Sequence, residues 1–252
     1  MRIITIATQK GGTGKSTLAV NLAAGLARRG MRTLLIDVDP QANTTYVLTG
    51  SQMIQPSLYE VLVTNAATLP EVVMSSRLGL DLVPSNILLS AADITLASVP
   101  GRERLLARRI RALEGYDFVV MDTPPSLGIL TVNALIASHE VLVPVGMSTF
   151  ALIGLSLLED TIVQLKENLD IEDLRIMGAV ATFYDRTNVA RNTVEALKEH
   201  FGELVFETSI PRTVKLEEAN NRLKTIYEYE PGGQAALAFE ALVEEVLTRG
   251  QD

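Results

Sequence analysis

Apolar residues in this chain fall into short runs separated by longer stretches of mixed character. Runs rich in β-branched and aliphatic residues occur at 3–6, 33–37, 80–84, 118–122, 140–145 and 175–182, with a shorter one at 204–208. Each has the length of a strand, and the run at 118–122 is apolar on both faces, as a central strand of a parallel sheet requires. Between them, apolar residues recur at helical spacing at 18–27, 101–114, 152–168, 188–201 and 233–248. The first helix should begin near Ser16 and end near Arg28-Arg29-Gly30, where basic residues precede a glycine. Ser57 and Glu60 stand at capping-box spacing and predict a short helix there. Strand and helix alternate without repeats, linkers or low-complexity segments. The pattern predicts an α/β fold, a single doubly wound domain over 1–252 with a mostly parallel sheet flanked by helices.

The stretch between the first strand and the first helix carries the clearest chemistry. It reads Lys10-Gly11-Gly12-Thr13-Gly14-Lys15-Ser16-Thr17. A strand, a glycine-rich loop ending in Lys-Ser, and a helix form the context of a phosphate-binding loop of the P-loop NTPase type. The usual motif has a glycine where this chain has Gln9. The chemistry survives that change. Gly11, Gly12 and Gly14 let the backbone turn its N–H groups towards phosphate oxygens. The helix adds the positive end of its dipole. Lys15 can reach the β- and γ-phosphates of a nucleotide, and the Ser16 hydroxyl can ligate Mg²⁺.

Two further strand ends supply carboxylates. The second strand runs into Asp37-Val38-Asp39-Pro40, and the fourth ends at Asp122. Ligands in open α/β sheets bind outside the carboxyl ends of strands, so these groups should converge on the glycine loop. Asp122 is the expected second metal position, through a metal-bound water.

Composition narrows the field. The chain has 252 residues, 47% of them hydrophobic and 21% charged, which is globular. It has no cysteine, which excludes Fe–S clusters and thiolate zinc sites. Its two histidines, His139 and His200, lie too far apart in sequence for a ligand pair and are expected to be surface or satisfied groups. The sequence starts directly in a strand and contains no run of membrane-spanning length, so a cytoplasmic protein is expected. The net charge of −8 argues against a generally basic nucleic-acid coat and leaves room for a local patch. The arginines of the 101–114 helix are expected to be a solvated face.

Lys10 adds a second lysine to the loop, and with it the stretch closely resembles the deviant-Walker ATPases of the ParA/MinD group. The resemblance covers nearly the whole chain: Asp39-Pro40-Gln41, Asp122-Thr123-Pro124-Pro125-Ser126-Leu127, Phe183-Tyr184-Asp185-Arg186-Thr187-Asn188 and Ile210-Pro211-Arg212 all match its motifs. It is most similar to the short chromosomal partition ATPases. The resemblance implies ATP and Mg²⁺ as ligands, catalytic roles for Lys10, Lys15 and Asp39, and an ATP-dependent homodimer in which Lys10 touches the partner's nucleotide. It implies that Asp39 positions the attacking water, with Asp37 as a hydrogen-bonded support. It puts Pro211 and Arg212 by the adenine. It assigns non-specific double-stranded DNA binding to Arg186 and Lys215, with Arg191, Lys198, Arg212, Arg222 and Lys224 able to widen the patch. A ParB-type centromere-binding partner, action in chromosome or plasmid partition and a nucleoid-associated location complete the expectation.

Other readings share the loop. A ParA-like ATPase that positions a non-DNA cargo would use the same chemistry. A MinD-like membrane cycle needs a basic amphipathic C-terminal helix, and here that helix carries Glu240, Glu244 and Glu245. Two stretches depart from the group's pattern. Ile153 stands where relatives carry glutamate, and 218–224 replaces a Pro-Ser-x-Gly-Lys-type loop, so the dimer contacts and the partner are the least determined features.

Overall fold

A computed structural model describes the chain except residues 77, 149, 150, 170, 172, 186 and 250–252. The elements run β1 (Arg2–Ile6), α1 (Lys15–Arg28), β2 (Thr33–Asp37), α2 (Asn43–Thr49), α3 (Leu58–Leu62), β3 (Met74–Ser75), β4 (Leu80–Val83), α4 (Ala92–Thr95) and α5 (Leu105–Ile110). They continue with β5 (Phe118–Asp122), α6 (Ile129–Ala137), β6 (Glu140–Gly146), α7 (Ala151–Leu169), β7 (Arg175–Tyr184), α8 (Asn188–Phe201), β8 (Val205–Pro211), α9 (Val214–Asn221), α10 (Ile226–Tyr229) and α11 (Gln234–Thr248). One eight-stranded sheet has the order β3-β4-β2-β5-β1-β6-β7-β8. All pairings are parallel except β3 with β4 at one edge.

The period of two along each strand sorts its side chains to two faces. Ile4, Ile6, Leu35 and Val120 turn to one face and pack with Leu18, Leu22 and Leu26 of α1 and Phe239 and Leu242 of α11. Ile3, Leu34, Ile36, Val119 and Met121 turn to the other, against α3, α5 and α6. Val141, Val143 and Val145 of β6 extend that second layer under α7 and α8. Phe239 is wholly buried; burying a side chain of this kind contributes about 1.5–3 kcal/mol. The apolar face of α11 therefore lies in the core, and its outer Glu244 pairs with Arg29. Among the described residues no helix is long and apolar enough to cross a membrane.

Register builds the site. Ile6 pairs with Asp122, and Asp37 pairs with Asp122 from the other side. Three adjacent central strands thus end in one row, and whatever follows each of them meets at the same edge.

Several boundaries differ from the sequence reading. The helix expected over 101–114 is a 3₁₀ turn at Arg102–Arg104 followed by α5. The buried Asn133 side chain accepts from the Leu106 N–H and donates to the Arg102 carbonyl, so a neighbouring helix takes groups that a continuous helix would use itself. The last strand extends to Pro211, beyond 208, because Arg212 N–H continues the ladder onto the Tyr184 carbonyl. Periodicity did not show α2, α4, α6, α9, α10 or the edge strand β3. The capping box at Ser57 and Glu60 forms as read, with both reciprocal bonds present. His139 is satisfied: its Nδ1 accepts from the Ile3 N–H at 3.1 Å. The 102–111 arginines are tied largely to carbonyls, among them Arg108 to Gly101 O at 3.1 Å, and Arg109 reaches the Asn65 side chain.

Candidate nucleotide site

The loop between β1 and α1 is built from its glycines outward. Gly12 and Gly14 have φ of 71° and 84°, in the left-handed region that side chains disfavour. A Cβ added at Gly11 or Gly12 would meet no atom within 4 Å, so both face open space. Gly14 stands at the N-cap of α1, and no side chain caps that end, so the first N–H groups of the helix remain available to an anion. The loop is anchored from outside. Thr182 of β7 donates from Oγ1 to the Thr13 carbonyl at 2.9 Å, and Asn220 Nδ2 of α9 donates to Thr17 Oγ1 at 3.4 Å.

Residues 10–17 all line a cleft of about 1180 Å³, joined by Asp39 and Gln41 on one side and Arg212, Thr213 and Asn220 on the other. Lys15 is buried, with Nζ 3.4 Å from the Lys10 carbonyl. Burial lowers its pKa, while the nearby Asp122 and Asp39 oppose that shift. Lys10 is exposed, and its Nζ donates to Ser148 Oγ at 2.8 Å.

The carboxylates differ in environment. Asp37 is fully buried and accepts from Thr45 N–H at 2.8 Å, Thr45 Oγ1 at 2.7 Å and Asp39 N–H at 3.1 Å. Burial first, then Asp122 beside it, pushes its carboxyl well above the usual range. Every one of these bonds is internal, which is the geometry of a support. Asp39 accepts from Gln41 N–H at 2.9 Å, and burial raises its carboxyl. Asp122 is fully buried; its Oδ2 accepts from Thr44 Oγ1 at 2.7 Å, and the Ser16 hydroxyl lies near the same carboxylate. Burial pushes Asp122 up to about 6, with the Thr44 bond and the nearby Ser16 hydroxyl opposing. Its Oδ1 has no partner. An unpartnered buried carboxylate oxygen behind a loop serine fits a magnesium-bound water, since the ion and its shell supply the missing donor. Among the described residues no group of three or more His, Cys, Asp or Glu side chains could hold a metal unaided.

The remaining sequence expectations fare differently. Arg212 lines the cleft, whereas Pro211 is buried at the end of β8 and does not. Lys215 stands outside the cleft lining, and its Nζ is paired with Glu218 at 2.8 Å. Arg186 lies outside the described residues. Sequence reasoning missed Thr44, Phe183 and Asn220. Thr44 and Asn220 sit on helices without a strong apolar period, and Phe183 reaches the loop through a backbone conformation that no pattern announces.

Comparison with known proteins gives the family. The family model described as an AAA domain matches residues 1–176. The chain is 40% identical over 252 residues to the sporulation initiation inhibitor protein Soj of Bacillus subtilis, covering 99% of each. It is 41% identical over 253 residues to the chromosome-partitioning ATPase Soj of Thermus thermophilus, covering 100% of this chain and 98% of that one. A solved structure of cobyrinic acid a,c-diamide synthase from Mycobacterium smegmatis, with bound ATP analog and magnesium, superposes with a TM-score of 0.87 at 32% identity, covering 100% and 96%. The likeness in fold thus extends to a protein named for different chemistry, while full-length identity is higher to the partitioning proteins. This chain is an ATPase of the ParA/Soj chromosome-partitioning family.

Proposed function

We propose that the chain is an ATP-driven switch for DNA partition: with Mg²⁺ and ATP it forms a homodimer, holds double-stranded DNA without sequence preference, and releases it when a ParB-type partner stimulates hydrolysis. The observation that carries this reading is the convergence of an uncapped, glycine-lined helix start with Lys15, Asp39 and Asp122 at one sheet edge.

In this reading the N–H groups from Gly11 to Thr17 and the Lys15 ammonium bind the phosphates. Ser16 and Asp122 would hold magnesium, which when bound would neutralise negative charge on the phosphates. Asp39, with one carboxylate oxygen fixed by Gln41 N–H, orients the attacking water. Arg212 lies on the base side of the cleft. Lys10 leaves Ser148 and reaches the partner's phosphates on dimerisation; its exposure makes that exchange inexpensive. Arg186 and Lys215 contact DNA phosphates. The pair between Lys215 and Glu218 is exposed, of a kind worth about 0–1 kcal/mol, so phosphate can displace the carboxylate. That same pair is the observation favouring a second reading, a related ATPase whose cargo is not DNA.

The test is a salt series of DNA-binding isotherms with ATP and with ADP, on Asp39→Ala protein and on the same protein carrying Arg186→Glu and Lys215→Glu. Asp39→Ala should keep ATP, dimerise and bind DNA. If the dimer neutralises about four phosphates, log K should fall with log salt at a slope of roughly −3 to −4. The charge-reversed protein should dimerise and not bind. Equal binding with ADP and ATP, or none with ATP at low salt, overturns the DNA switch.

A further inference from the structure

Phe183 is the one large aromatic residue among the described residues with a left-handed backbone, at φ 56°. Such a conformation is a genuine outlier for a bulky side chain and persists only where surrounding structure fixes it. Its consequence is visible at the phosphate loop. In a regular strand, neighbouring side chains point to opposite faces. At the end of β7 they do not: Thr182 Oγ1 donates to the Thr13 carbonyl at 2.9 Å, and the Phe183 ring lies against Gly14. A Cβ on Gly14 would come 3.1 Å from ring carbon Cζ and 3.5 Å from Cε2. The left-handed turn is what lets two consecutive side chains grip two consecutive loop residues. Tyr184, next in line, returns to the ladder by accepting from Arg212 N–H at 3.0 Å.

The peptide between Thr13 and Gly14 directly precedes Lys15 and the free helix start. Its carbonyl is held by Thr182, and its glycine is backed by a flat ring that also borders the cleft. We propose that Phe183 is a positioning residue for phosphate binding: its ring fixes Gly14, and through Gly14 the direction of the N–H groups and of Lys15. This rests on the reading of the cleft as a nucleotide site. Because the ring acts on the loop, it governs the triphosphate moiety whether or not a base is attached.

The experiment compares wild type with Phe183→Ala, Phe183→Gly and Phe183→Leu. Affinities for an ATP analogue with a fluorescent ribose and for inorganic tripolyphosphate are measured with magnesium, the second by displacement. Urea unfolding without ligand is measured in parallel. Loss of one backing contact, at about 1.4 kcal/mol, corresponds to about tenfold in affinity. The Ala and Gly variants should lose about tenfold in affinity for both ligands, and to the same extent. The Gly variant should unfold at a higher urea concentration than the Ala variant, because glycine accepts the left-handed conformation without strain. The Leu variant should recover most of the affinity. Affinity that tracks the urea midpoint across the variants would make Phe183 a packing residue and overturn the inference. So would unchanged affinity, or weakened ATP binding with unchanged tripolyphosphate binding, which would assign the ring to the base or ribose. Folded wild-type protein that binds neither ligand would overturn the nucleotide-site reading itself, and the inference with it.

Discussion

Asp122→Asn should make the unliganded protein more stable while weakening the stabilisation that magnesium and ATP confer. Asp122 is fully buried, its Oδ1 has no partner, and its carboxyl is pushed up to about 6 from 3.8. Between pH 4 and pH 6 the unfolded chain has released this proton and the folded chain has kept it. The contribution of Asp122 to stability therefore falls as pH rises through that window and is level above it. A rise of about two units corresponds to a cost of about 3 kcal/mol at pH 7.5, at about 1.4 kcal/mol per unit. Asparagine removes the buried charge and can still accept from Thr44, but it leaves an amide N–H₂ where Oδ1 was unpartnered. That orphan costs about 1–2 kcal/mol, so a net gain of about 1–2 kcal/mol is expected. Loss of the negative charge also relieves Asp37, whose carboxyl Asp122 helps to raise. The assay is urea unfolding of both proteins without ligand at pH 7.5 and pH 5.0, repeated at pH 7.5 with magnesium and ATP. Wild type should gain about 1 kcal/mol more than the variant on acidification, and it should gain more than the variant from magnesium and ATP. A variant less stable than wild type at pH 7.5, or a difference that does not change with pH, would refute the reasoning.

Gly25 lies inside α1, where a Cβ would come 2.5 Å from Tyr227 Oη and 2.6 Å from Val243 Cγ2. Gly25→Ala should therefore lower stability by about 1–3 kcal/mol in urea unfolding, despite alanine's better helix propensity. Ser57 both caps α3 and accepts from Asn86 Nδ2 at 2.9 Å. Ser57→Ala should cost about 1–2 kcal/mol by the same measurement, with ATP turnover at pH 7.5 unchanged, since α3 does not reach the cleft.

The sequence alone determined the elements whose signals are local. The strands at 3–6, 33–37 and 118–122, the helices over α1, α7, α8 and α11, the capping box at Ser57 and the glycine loop from Gly11 to Thr17 are all legible. Each rests on spacing or chemistry within a few residues, where a period of 2 or 3.6 and a need for positive φ leave their mark. The loop also fixed which strand ends mattered, so Asp39 and Asp122 could be named before any contact was seen. Tertiary structure decided what depends on pairs distant in the chain. The register that sets Ile6, Asp37 and Asp122 in one row is a property of three strands together. The break before α5 comes from Asn133 on a different helix, and α2 forms in a β-branched stretch where Thr44 and Thr45 are held by Asp122 and Asp37. Lys215 met Glu218 and Pro211 turned into the core, outcomes that a motif match does not contain. Phe183 is the plainest case: a left-handed phenylalanine opposes local preference, and its place against Gly14 is visible only in the packed structure.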